Sequence, residues 1–238
     1  MRVLTPQEHN LIQTLLYYQE GFKKPSEAEQ HEIDLAISME RSVEDRMLAQ
    51  ITQHSLYNVK LLFAFTRRLP GIETFSNSEQ VVILKTGSSK ILLLRAARCF
   101  NPFNDTIVFF GKVAYDLRAY EMVGLNNRHL FHFCRKVHRL AFDPTEFALL
   151  TALVMFTDSP LIVTRDQMDK VQSFYMTTLV TYVSQRRANP CIELAALLGL
   201  LVDLRSLVEG STEHCLSDKM RASKLPPLLA ELWDIPNS

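Results

Sequence analysis

The chain is short of the residues that loop-built sites and stapled folds depend on. Its 238 residues include only 7 glycines, and no Gly/Ser linker or low-complexity tract interrupts them. That scarcity argues for one compact helical domain rather than two domains on a tether. No Gly-rich phosphate loop, GxSxG elbow, HExxH motif or carboxylate pair beside a catalytic His occurs, so no enzyme class is motivated. The four cysteines, Cys99, Cys134, Cys191 and Cys215, are widely spaced. They form no CxxC or CxxH pair, which excludes a zinc finger or ribbon and leaves reduced, mostly buried thiols. The formal net charge is zero, so the excess of cations that phosphate binding needs is missing and direct nucleic-acid binding is not expected. The start, MRVLTPQE, has no signal-peptide core, and ALLTALVMF (148–156) is far short of the roughly 20 residues of a membrane span. An intracellular protein is the expectation, with a sizeable core supplied by 47% hydrophobic residues.

What is present reads as helix after helix. Thr5-Pro6-Gln7-Glu8 is a capping box with Pro at the first helical position and predicts a helix over about 6–20, with Leu11, Ile12, Leu15 and Leu16 on one face. Residues 22–41 predict a loop and a short helix. Ser42 opens a long helix to Arg68, before Pro70-Gly71, and Ser76 opens another through VVILKTGSSKILLLRAARCF, whose ILLL centre belongs in the interior. NPFNDTIVFFGKVAY (101–115) is the one β-hairpin signal. Helices resume at about 116–123 and 126–141. Asp143-Pro144-Thr145-Glu146 is a second capping box, Thr164 opens a helix to about Arg187, and the longest helix runs from Pro190 towards Arg221. The chain closes on LPPLLAELWDI, a short amphipathic helix that carries the only tryptophan, Trp233.

Three clusters bear on function. His132, Cys134 and His138 lie close in FHFCRKVH, and the spacing of four puts Cys134 and His138 on one helix face. No second ligand pair accompanies them, and Phe131 and Phe133 mark a packing helix, so no metal site is expected. Arg95 lies within ILLLRAAR, where an uncompensated guanidinium is costly. It either snorkels to the surface, meets an acid, or meets a ligand oxygen. Lys60, Arg67, Arg68 and Lys85 interleave with Leu61, Leu62, Phe65 and Val81. This pattern fits either a solvated charged face or an apolar groove with a basic edge that captures an amphipathic helix.

Several stretches together resemble the ligand-binding domain of nuclear receptors, and within that family its ecdysone-receptor branch. They are YYQEGFKKPSEAE (17–29), FTRRLPGIETFSNSEQVVILK (65–85), LLLRAAR, LFHFCR, FALLTALVMFTD and KLPPLLAELWD. The resemblance covers essentially the whole chain, 1–238, and no DNA-binding zinc module of such receptors is expected within these residues. It implies an all-α, three-layered antiparallel helical sandwich with one small β-hairpin, enclosing a pocket for an ecdysteroid-type steroid, with no cofactor and no catalysis. It also implies a nuclear location, a heterodimer with a retinoid X receptor or ultraspiracle partner through about 191–210, and recruitment of an LxxLL coactivator helix.

The terminal helix, at about 226–234, would then be a switch, because a helix this short depends on tertiary contacts for its place. Leu228, Leu232 and Trp233 are expected over the pocket. Glu231, Leu228, Arg67 and Lys85 are expected to hold the coactivator. The resemblance places ligand contacts at Glu20, Ser55, Arg95, Ala96, Val108, Phe109, Phe110, Tyr115, Tyr120, Cys215 and Trp233. The chain departs from the branch at His54 (usually methionine), Asn58 (threonine), Leu92 and Leu93 (both methionine), and Ser211 (asparagine). These changes make the expected pocket more polar at 54 and stiffer at 92–93. Arg67 replaces a lysine and keeps its charge, while Lys90 and Ser159 replace an acid and an arginine.

Overall fold

A computed structural model of the chain describes residues 2–21, 23–110, 113–125, 127–157, 159–211 and 226–232, with the side chains of all but 209–211 and 230–232. Helix α1 is Pro6–Gly21, α2 Glu27–Ser38, α3 Val43–Thr66 and α4 Asn77–Arg98. The strands β1 (Phe100–Asn101), β2 (Thr106–Phe109) and β3 (Val113–Tyr115) follow. Then come α5 (Leu117–Met122), α6 (Arg128–Arg139), α7 (Pro144–Met155), α8 (Arg165–Arg186), α9 (Pro190–Ser211) and α10 (Pro227–Leu232).

Side-chain caps fix several helix starts, among them those read in the sequence at Thr5, Ser42, Ser76 and Asp143. The Asp143 carboxylate accepts from the backbone of Thr145 and Glu146, and Glu146 accepts in return from the Asp143 backbone. The same reciprocal bonding joins Thr5 to Glu8, Ser26 to Glu29 and Ser76 to Glu79. Thr164 departs from this pattern. It stands at the N-cap of α8 without a side-chain cap bond; its hydroxyl donates to Glu79, and its backbone N–H reaches the same carboxylate oxygen at 2.9 Å. Bonds from the Ser76 hydroxyl and from Thr164 hold the Glu79 carboxyl down at about 2, which ties the start of α4 to the start of α8. The expected hairpin is present, and Phe100–Asn101 adds a third strand to it. The order is β1-β2-β3, with Phe100 opposite Ile107 and Ile107 opposite Tyr115, all three buried on the core side.

The helices form the expected sandwich. Helix α1 packs on α7 and α3 on α4; α4 and α7 pack together with α8 beside α7, and α6 and α9 pack on α4 and on each other. Helix α4 packs on α3, α6, α7, α9 and β2, which is why ILLL is apolar on every side: Ile91 and Leu94 are fully enclosed. Gly87 makes the approach of α4 to α7 possible, since a Cβ there would sit 2.8 Å from Met155 Sδ and 3.0 Å from its Cα. No helix among the described residues is long and apolar enough to cross a membrane.

Candidate ligand site and helix-docking groove

The sequence places residues 54–58 on the inner face of α3, and the chain returns through α4 to set the sheet against them. His54 is buried, and its Nδ1 shares a 2.7 Å hydrogen bond with the Tyr115 hydroxyl of β3. Around the imidazole stand Phe110, Tyr115 and Phe109, at centroid separations of 5.3, 5.8 and 6.3 Å. Tyr120 of α5 continues the aromatic wall at 5.9 Å from Tyr115. Burial pushes both phenols well above their usual pKa, so they are hydroxyls at any physiological pH.

Asn58 is also buried, and its Nδ2 donates to the His54 carbonyl at 2.9 Å, one turn back on the same helix. Ser55, Val108, Phe109, Phe110, Leu92 and Leu93 are half-buried, and Ala96 is buried. Arg95 keeps part of its surface open although its guanidinium is desolvated, which lowers its pKa. The nearby Cys99 thiol, raised by burial, lies beside it.

Burial has a measurable consequence at His54. It depresses the imidazole pKa to about 4, against the opposing pull of the Asp34 carboxylate on α2. The fold therefore favours the neutral ring. Its full stabilisation is present above about pH 6.5 and is lost as pH falls from there to about 4, by about 3 kcal/mol in all. Urea melts at pH 7 and pH 4 are expected to show a loss of this size in the wild type, beyond any loss shown by His54→Met.

Other expected contacts fall elsewhere. Glu20 stands on the outside, paired with Lys23 at 3.3 Å. It lies five residues past Leu15 and so off the stripe that α1 buries. Gln19, four past Leu15, is on that stripe, and its Oε1 is the one buried side-chain N or O among the described residues without a hydrogen-bond partner. Sequence reasoning missed it, although the spacing from Leu11 and Leu15 points there. The side chains of Ser211 and Glu231, and Cys215 and Trp233 altogether, lie outside the described residues. On α6, Cys134 is buried while His132 and His138 are exposed, and the His138 ring packs on Phe100 at 6.3 Å. Among the described residues no three potential metal ligands come together.

The second feature is a groove of about 720 Å³ between α3, α4 and α10. Phe63, Ala64, Val81, Leu84 and Leu228 make its apolar wall, and Lys60, Arg67, Arg68 and Lys85 its basic edge. Helix α10 is seated on α3. Leu229 is fully buried against Val59, with Leu56, Phe63 and Leu92 around them. Leu228, expected both over the pocket and among the coactivator contacts, lines the groove and is half-buried, because neighbouring positions on a helix point about 100° apart.

The helical sandwich thus combines an aromatic, hydroxyl-bearing interior with a groove completed by its last helix. The chain belongs to the nuclear hormone receptor family: the profile described as "Ligand-binding domain of nuclear hormone receptor" matches residues 41–217. It is 34% identical over 238 residues to the ecdysone receptor of Chironomus tentans, covering 98% of this chain and 44% of that protein. It is 33% identical to the ecdysone receptors of Heliothis virescens and Drosophila melanogaster, over 98% of this chain and 41% and 27% of theirs. The chain thus spans under half the length of these curated relatives.

Proposed function

We propose that this domain is the hormone-binding switch of an ecdysteroid-responsive nuclear receptor. A steroid enters the interior between α3, α4 and the sheet, oriented by Arg95, Ser55 and the Tyr120 hydroxyl and flanked by Phe109, Phe110, Leu92 and Leu93. The ligand shifts the terminal helix towards its seat on α3 only to the extent that it binds that arrangement better. The seated helix completes the groove for an LxxLL coactivator helix, with Arg67 and Lys85 at the C-terminal end of that helix and Glu231 at its N-terminal end, as its dipole favours. A retinoid X receptor or ultraspiracle-type domain pairs through α9, whose Ile192 and Val202 are apolar yet exposed. The site of action is the nucleus, where the whole receptor regulates transcription.

The observation that carries this reading is the groove itself: a basic edge on α3 and α4, and an apolar wall finished by Leu228 of the last helix. A second reading is favoured by the bonds His54–Tyr115 and Asn58–His54, which use interior polar groups within the protein. It keeps the fold and partner but gives the site to another sterol, or to none.

Arg95→Ala separates a ligand role from a structural one. It is expected to weaken binding of a labelled ecdysteroid by about 100-fold, the loss of a charge-assisted hydrogen bond in a desolvated site, with heterodimer formation unchanged. Equal loss of both activities would make Arg95 structural.

A further inference from the structure

The side of the interior that faces the sheet is held shut by its own hydrogen bonds. His54 and Tyr115 come from elements 61 residues apart and meet at 2.7 Å, with the two side chains 3% and 1% exposed. Phe109 and Phe110 flank the imidazole, and Phe109 and Tyr120 pack against the Tyr115 ring. Asn58 fastens the same turn of α3 through its bond to the His54 carbonyl. The Tyr115 hydroxyl therefore already has a partner, and a ligand group that seeks it must displace that partner and leave a buried imidazole nitrogen unpaired.

We propose that His54 is a specificity-determining residue of the interior site, because it competes with the ligand for the Tyr115 hydroxyl. The ligands it favours are sterols that present hydrocarbon, not a hydroxyl or carbonyl, to Tyr115. Polyhydroxylated sterols that need this contact bind less tightly than they would to a chain without the imidazole. Discrimination of this kind is asymmetric: an apolar ligand leaves the pair intact, whereas a polar one must break it and gains only an equivalent bond. The inference rests on the reading that the interior holds a sterol.

The test compares wild type, His54→Met, Tyr115→Phe and the double variant, with labelled 20-hydroxyecdysone and 25-hydroxycholesterol as probes. Thermal melts and heterodimer formation check that each variant is folded. His54→Met frees the hydroxyl and is expected to tighten 20-hydroxyecdysone about tenfold, while 25-hydroxycholesterol changes by less than about threefold. Tyr115→Phe is expected to abolish the gain, since no hydroxyl is left to release. A folded His54→Met that leaves 20-hydroxyecdysone unchanged, or tightens both sterols equally, overturns the proposal while the sterol reading stands. Failure of every folded variant to bind either sterol overturns the sterol reading, and this inference with it.

Discussion

Arg67→Glu combined with Lys85→Glu is expected to weaken capture of a fluorescent LxxLL peptide by at least about 100-fold, with little change in the melting temperature. Both side chains are exposed, so the core does not register their loss. The groove registers it twice. On the proposed docking mode, two cations that would meet the carbonyl end of the helix are lost, and two anions of the wrong sign replace them. Lys60 and Arg68 remain along the same groove. Fluorescence polarisation at two salt concentrations checks the result, since the wild-type affinity should fall with salt more steeply than any residual binding. Unchanged peptide binding by the folded double variant would remove the groove from the account.

The largest expected loss of stability lies at the junction of three helices. Arg187, which follows α8, grips Glu146 through both carboxylate oxygens, with Nε 2.7 Å from one of them. It also reaches Glu193 of α9 at 3.1 Å and donates to the Ala141 carbonyl at 3.1 Å. Glu146 is completely enclosed, while Arg187 retains 23% of its side-chain surface. Arg187→Ala therefore leaves a buried carboxylate without its cation, which costs about 4 kcal/mol and lowers the melting temperature by about 10 °C. Arg187→Met with Glu146→Leu removes both charges and is expected to recover most of that loss, because a matched apolar pair escapes the desolvation penalty. Since Arg187 also anchors the start of α9, the single variant should weaken heterodimer formation too. A melt within about 2 °C of wild type would show that the junction is held by packing alone.

Local signals in the sequence specify the helix starts almost residue by residue. A cap is an interaction over three or four positions, so Thr5, Ser42, Ser76 and Asp143 mark α1, α3, α4 and α7 without any knowledge of the tertiary fold. Periodicity is equally local, and it places Gln19 rather than Glu20 on the inner stripe of α1. The resemblance implies a ligand contact at Glu20 instead, whose side chain here faces outward beside Lys23.

What the sequence does not carry is pairing between distant elements. Nothing in QHSLYNVK announces that His54 meets Tyr115, or that the Asn58 amide is spent on its own helix. The choice of Leu229 over Leu228 as the buried anchor of α10 is likewise set by where that helix lands on Val59. Thr164 opens α8 as the sequence indicates, but without a side-chain cap bond; its hydroxyl donates to Glu79, a pairing across 85 residues that no local pattern announces.

The most direct test of the hormone-switch account is equilibrium binding of a labelled ecdysteroid to this domain, alone and mixed with a retinoid X receptor or ultraspiracle-type ligand-binding domain. Saturable binding that requires the partner, or tightens with it, is the predicted result, since anything that binds the folded receptor state preferentially raises its population. A heterodimer that demonstrably forms, yet shows no saturable binding with or without excess steroid, would contradict it.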